Sequence, residues 1–296
     1  MTKGISLMAF GDPSYGKYAF NLALSIKRFS DVPIQLIHDS VALSTLDREF
    51  DLSFFDHLTP IKDEHLYLTG KLYPALAKAH IYDYIMFDET MYLDVDAVAL
   101  RNLEPLIYHC SEREGYYFTQ VHRTHTLADG LGDIKDMAWA TAETIWNHYG
   151  LPEDAVLPAT QSSFAYIKKC KESENLFKKL QENLLNAIPV DKLRYKWGGT
   201  QPDELYLNVT LAQIGLVPSL EFEPIYFSNY QIKDQGKVER DYYLLGVFGG
   251  NGVTHSSVQH LYDRLMNAYL REGHNRPHLY KTINLIKYKF SGKTKW

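Results

Sequence analysis

The sequence predicts an α/β fold, a mixed sheet flanked by helices, on three observations. The chain opens strand–helix–strand between Ile5 and Ile37, the usual start of a sheet with crossover connections. A later apolar run, Thr90-Met91-Tyr92-Leu93-Asp94-Val95-Asp96, reads as a strand that stops in two carboxylates. Between such runs the apolar spacing turns helical, as at Tyr18, Leu22 and Ile26, each four residues from the next.

Composition bounds the rest. With 296 residues, 45% of them apolar, the chain can bury a sizeable core in one large domain. A net charge of −5 argues against a protein that binds nucleic acid over its whole surface. Cys110 and Cys170 are the only cysteines, which excludes a disulfide framework and a cysteine-rich metal centre. The first strand begins without an apolar signal core before it, and no apolar run reaches the ~18 residues of a membrane span. The expected setting is the cytoplasm.

In chain order, residues 5–10 are predicted as a strand closed by the turn Gly11-Asp12-Pro13-Ser14. A helix runs from Tyr15 and is broken at Asp31-Val32-Pro33, and residues 34–37 form a second strand ending at His38-Asp39. Residues 71–82 read as a helix with Pro74 in its first turn. The 90–96 strand is continued by an apolar run over 97–100. A strand is expected at 116–121, a polar loop at 122–132, and a helix at 133–149 stopped by Gly150. His122, His125 and Asp129 belong to that loop and are read as part of a mobile polar loop rather than a metal set.

Gln161-Ser162-Ser163 leads a strand over 164–167, and 174–188 is an amphipathic helix. Pro202-Asp203-Glu204 opens a helix that Gly215 ends. One more strand at 243–248 precedes the glycine-rich stretch Gly249-Gly250-Asn251-Gly252, then His255 and a last helix through Tyr269.

Ligands of such sheets collect beyond the carboxyl ends of the strands. That rule lines Phe10 to Tyr15, Asp39, and Asp94 to Asp96 along one edge. Side chains two apart on a strand share a side, so Asp94 and Asp96 can converge. Two like charges so close stay ionised only if a cation or a set of donors compensates them. An all-oxygen pair suits a hard divalent ion, Mn²⁺ or Mg²⁺. The rival reading is a strand end solvated by water.

These residues resemble the retaining GT-A glycosyltransferases, the group of glycogenin and the bacterial lipooligosaccharide galactosyltransferases. The resemblance lies in the Gly-Asp-Pro-Ser-Tyr turn at 11–15, the helix with Leu24-Ser25-Ile26, the strand ending in Asp39, and Met91-Tyr92-Leu93-Asp94-Val95-Asp96-Ala97-Val98 followed by Arg101-Asn102-Leu103-Glu104-Pro105-Leu106. It covers about the first 110 residues well and is patchy beyond. It implies a GT-A fold, a Rossmann-like mixed sheet flanked by helices, in a domain of residues 1–275. Residues 1–110 would be the nucleotide-sugar and metal half and 111–275 the acceptor half, with a basic, aromatic tail over 276–296.

Residue by residue, the resemblance implies that Phe10, Gly11 and Asp12 line the nucleotide pocket, that Tyr15 lies against the uracil ring, and that Asp39 sits at the second strand end. Lys71 would approach the donor phosphates or sugar. Asp94, Asp96 and His255 would hold Mn²⁺ or Mg²⁺ on the diphosphate. Ser256-Ser257-Val258 follow His255 where the family has a glycine and a lysine. Asp203, Glu204 and Gln161 are the candidates to stabilise positive charge at the anomeric carbon; for Asp203 a helix N-cap is the competing role.

The expected activity is hexosyl transfer from a UDP-sugar, UDP-glucose or UDP-galactose, to a glycan or lipid-linked glycan, with retention implied by the resemblance alone. The tail interleaves Arg276, Lys281, Lys287, Lys289, Lys293 and Lys295 with Tyr280, Tyr288, Phe290 and Trp296. It can be a solvated end, a peripheral contact to an anionic membrane, or a contact to an anionic polymer such as nucleic acid. Alternatives to the glycan-directed enzyme are transfer to a modified nucleic-acid base or a protein, a sugar-nucleotidyltransferase, and a non-catalytic nucleotide-sugar binding protein.

Overall fold

Six of the seven residues of the first strand, β1 (Lys3–Ala9), are buried, as a continuous apolar run in a parallel ladder should be. In the computed structural model of the protein the described residues are 1–113, 115–127, 140–160, 162–189, 192–193, 203–218, 225–227, 232–247 and 256–273.

After β1 come α1 (Pro13–Phe29), β2 (Ile34–His38), α2 (Ser40–Glu49) and β3 (His57–Pro60). A short hairpin, β4 (Tyr67–Leu68) and β5 (Lys71–Leu72), leads into α3 (Pro74–Ala79). The central stretch is β6 (Glu89–Asp94), β7 (Ala97–Ala99), α4 (Glu104–Arg113), β8 (Tyr117–Phe118) and β9 (Val121–His125). Then follow α5 (Ala142–Tyr149), β10 (Leu157–Thr160), β11 (Phe164–Lys168), α6 (Lys171–Leu185) and α7 (Asp203–Gln213). The last elements are β12 (Tyr226–Phe227), α8 (Gln235–Asp241), β13 (Leu244–Gly246) and α9 (Ser256–Gly273). Hydrogen bonding orders six strands β3-β2-β1-β6-β11-β8 in a mixed sheet, with helices around it.

The chain groups into two units interleaved in sequence. One comprises Lys3–Pro60, Leu93–Tyr108 and Glu223–Trp296. Here β1, β2 and β3 run parallel, Ile5 opposite Ile34 and Gln35 opposite His57, so their carboxyl ends lie side by side. A second ladder pairs β7 with β13 antiparallel and β13 with β12 parallel. Helix α1 is tied into this unit by buried polar contacts. Ser25 Oγ accepts the Ala99 N–H at 2.9 Å, and Asn21 Nδ2 meets the Tyr262 hydroxyl at 2.5 Å. Against α2 the helix presents Gly16, where a Cβ would stand 2.7 Å from the Ala42 carbonyl oxygen.

The other unit comprises Met1–Thr2, Ile61–Tyr92 and His109–Phe222. Its centre is α7, buried at every residue from Leu205 to Ala212 and packed on α3, α6 and β10. A helix buried on every side belongs in a core, and its polar residues there need partners. The fully buried Asn208 accepts from the Thr160 N–H at 3.2 Å and from Thr160 Oγ1 at 2.6 Å, which fixes the end of β10. Asn183 of α6 donates to Thr210 Oγ1 at 2.9 Å.

Three expectations change. Residues 71–82 are not one helix: Lys71 and Leu72 form β5, and the helix starts at Pro74, whose fixed φ suits the first helical position. The preceding turn carries φ of 51° at Thr69 and 76° at Gly70, the pair of positive values a two-residue hairpin needs. Residues 122–125, expected in a loop, belong to β9, which pairs antiparallel with β10. The helix expected over 133–149 is seen from Ala142, where Thr141 caps it by accepting the Thr144 N–H at 3.1 Å. Residues 133–139 lie outside the described residues, as do Asp129 and the 276–296 tail.

Candidate active site

The carboxyl ends of β1 and β2 are stitched together by one carboxylate. Asp39 Oδ1 accepts the Ala42 N–H at 2.8 Å as the N-cap of α2, while Oδ2 accepts the Gly11 N–H at 2.8 Å. Gly11 has φ of 83°, a conformation a side chain would resist, so the turn after β1 is built for glycine. Asp12 caps α1 by accepting the Ser14 N–H at 2.8 Å, and that bond lowers its pKa against a small opposing effect of burial. Phe10 and Tyr15 are half-buried, and Tyr15 meets Tyr18 edge to face at 6.4 Å. Of the sequence-predicted nucleotide residues, Phe10, Gly11, Asp12 and Asp39 therefore fall at two neighbouring strand ends, and Tyr15 lies in the first turn of α1. The structure gives Asp12 and Asp39 firm local roles as caps.

Asp94 is the last residue of β6, and Asp96 follows in the bend before β7. Val95 between them is buried, while both aspartates keep partial exposure, the alternation expected if the carboxylates share a side. The Asp96 carbonyl accepts the Val247 N–H at 2.7 Å, which anchors the bend to the end of β13. Tyr18 senses the local charge: its pKa is raised by burial, then by Asp96 and by Asp12. Aspartates from the turn after β1 and the bend after β6 thus bear on one phenol. Carboxylate oxygens of this kind are the donor type a hard divalent cation takes.

In the other unit, Asp203 and Glu204 occupy the first turn of α7, where the helix dipole favours negative charge. Lys78 Nζ of α3 lies 2.6 Å from Asp203 Oδ2. Burial works to raise the Asp203 pKa, but the Lys78 charge prevails and holds it below the usual range. Among the described residues Lys78 is the cation that acts on Glu204, and its lowering effect is outweighed. Glu204 Oε1 accepts from Ser162 Oγ at 3.1 Å, and burial together with the Asp203 charge pushes the Glu204 pKa up to about 8. The pKa values of the two adjacent carboxyls are therefore driven apart, Asp203 downward and Glu204 upward. A cavity of about 40 Å³ beside Lys78, Asp203 and Tyr206 has room for a few waters, far less than a ligand pocket.

Lys71 is exposed on β5. Gln161 and His255 lie outside the described residues. His122 is exposed, at an irregularity in the β9–β10 register, and His125 is buried. Sequence reasoning missed Lys78 and Ser162 as partners of the acidic pair, and Tyr18 as a neighbour of Asp96. A lysine inside the otherwise small and apolar run Pro74-Ala75-Leu76-Ala77-Lys78-Ala79 was the available signal for the first.

No protein-family model matches the sequence, and no curated protein matches it either. Among solved structures the chain is similar to the galactosyltransferase LgtC in complex with donor and acceptor sugar analogues. The TM-score is 0.56 at 13% identity, over 89% of this chain and 95% of that one. An active-site mutant of LgtC gives the same values. The bifunctional glycosyltransferase WbbM is matched with a TM-score of 0.56 at 13% identity, over 95% of this chain and 51% of that one. This chain thus spans about half of WbbM. These likenesses show the fold, which is the GT-A fold of glycosyltransferases.

Proposed function

We propose that the protein is a metal-dependent glycosyltransferase that moves a hexose from a UDP-sugar, UDP-glucose or UDP-galactose, to a glycan or lipid-linked glycan, with retention at the anomeric carbon. The observation that carries this reading is the pair Asp94 and Asp96, set on either side of buried Val95 at the end of β6 in a fold of this class. One fold neighbour is a galactosyltransferase solved with donor and acceptor sugar analogues, which supports the same substrate classes here.

In such a transfer the bond from the anomeric carbon to the diphosphate breaks, a bond to an acceptor hydroxyl forms, and the hydroxyl proton is released. Asp94 and Asp96, with His255 by resemblance, would hold Mn²⁺ or Mg²⁺. The ion supplies positive charge to the departing diphosphate. Gly11, held in place by Asp39, keeps the backbone at the β1 turn open for close approach of a nucleotide, with Phe10 and Tyr15 as apolar walls. Asp203, kept ionised by Lys78, is suited to stabilise positive charge developing on the sugar. Glu204, whose pKa is raised, is suited in its protonated form to donate a hydrogen bond to a sugar or acceptor oxygen.

The test is UDP release from a panel of nucleotide sugars, with and without Mn²⁺ and simple glycoside acceptors. The reading expects release from UDP-glucose or UDP-galactose that needs the ion and is raised by an acceptor. Ion-independent release, or none from any UDP-hexose, contradicts it.

A further inference from the structure

A second group of metal-ligating side chains lies in residues 61–92, apart in sequence from Asp94 and Asp96. We propose that His65, His80 and Asp83 form a binding site for a transition-metal dication of the zinc class. One nitrogen from each imidazole and one carboxylate oxygen of Asp83 all lie within 4.8 Å of one another. Adjacent ligands of a four-coordinate ion with bonds near 2.0–2.1 Å stand ~3.3 Å apart, so the three groups are already gathered close to coordination spacing.

The surroundings orient both rings. His65 Nδ1 lies 2.7 Å from the Tyr84 hydroxyl, which engages that nitrogen and leaves Nε2 for a ligand. Glu64 Oε1 lies 3.8 Å from His65 Nε2 and 3.5 Å from Lys62 Nζ. His80 Nδ1 lies 2.8 Å from Asp83 Oδ2, a nitrogen–oxygen pair that an ion could bridge in place of their hydrogen bond. Gln181 closes the other side, its Nε2 donating to the Ala79 carbonyl at 3.1 Å and lying 3.2 Å from His80 Nδ1.

The two rings stack at 3.6 Å with planes 7° apart, so their in-plane lone pairs do not converge on one point as the rings stand. A shared ion requires one ring to turn, and the terminal torsion of histidine is soft enough to allow it. Two imidazoles with carboxylates suit Zn²⁺, Co²⁺ or Ni²⁺ better than the hard ions an all-oxygen pair selects. His65 closes the turn Asp63–His65, and His80 follows the end of α3. An ion here would therefore clip together the two ends of the segment that carries the β4–β5 hairpin, Lys71 and Lys78.

The test is zinc titration of the full chain carrying Asp94→Asn and Asp96→Asn, followed by calorimetry, with Co²⁺ absorption as the report on ligand type. The expected result is one zinc equivalent bound in the micromolar range and a cobalt spectrum of a nitrogen-containing site. His80→Gln should weaken binding by about tenfold or more. Asp83→Asn is the safeguard against misfolding, because that side chain is 47% exposed; it too should weaken zinc binding while the metal-free melting temperature stays unchanged. No zinc uptake at micromolar concentrations, or uptake indifferent to both His80→Gln and Asp83→Asn, overturns the site and leaves a stacked histidine pair capped by a carboxylate.

Discussion

Lys78 Nζ stands 2.6 Å from Asp203 Oδ2, and this ion pair fastens α3 to the first turn of α7. Replacing the lysine leaves a carboxylate in a mostly apolar setting without its counter-charge. Lys78→Met should destabilise the fold by roughly 3 kcal/mol, the low end for broken buried pairs. The low end applies because the two side chains keep 22% and 24% of their surface exposed. The Asp203 pKa is lowered in the folded state, so its contribution is present above the unfolded carboxylate range and is lost on acidification. Urea denaturation at neutral and acid pH should find the defect large at the first and reduced at the second.

Glu204 has the opposite sign. Its pKa is raised from 4.5 to about 8, so the folded state holds a proton that the unfolded chain has given up. The contribution is fully present below the unfolded value and is lost as pH rises through the folded one. Glu204→Gln should therefore flatten the fall in melting temperature between these two values and raise it above the upper one. A variant whose melting profile tracks the wild type across that window would rule out a protonated Glu204.

At Gly16 two effects compete. Alanine is favoured over glycine in a helix by about 1 kcal/mol. A Cβ here, however, meets the Ala42 carbonyl oxygen at 2.7 Å, a backbone atom that cannot swing aside. Overpacking costs about 1–3 kcal/mol, so Gly16→Ala should destabilise, with a lower urea midpoint and an unchanged denaturant slope.

Asn208→Ala should cost about 1–3 kcal/mol, because it strips the acceptor from two buried donors of Thr160. Amide exchange at Thr160 should accelerate in the variant, whereas an effect confined to distant residues would contradict the contact.

Much of this architecture is legible in the sequence where the pattern is local. Strands β1 and β2 are continuous apolar runs, α6 has a regular apolar face, and Gly150 and Gly215 end helices with φ of 62° and 66°. Helix α2 is ten residues long and starts at once from Asp39, so it offers little periodicity to read. Strand β3 is mostly exposed and shows no alternation. For the site, Asp94 and Asp96 are visible because their spacing is itself the signal. Lys78 with Asp203, and His65 with His80, meet only through tertiary folding, and no local pattern announces such pairs.

The central claim is that Asp94 and Asp96 hold the cation through which a nucleoside diphosphate binds. Calorimetric titration of UDP into the wild type and Asp94→Ala, each with and without Mn²⁺, tests it most directly. The account predicts tight binding only for wild type with Mn²⁺, weakened by about a hundredfold or more when either the ion or the carboxylate is removed. Equal UDP affinity in all four titrations would contradict it.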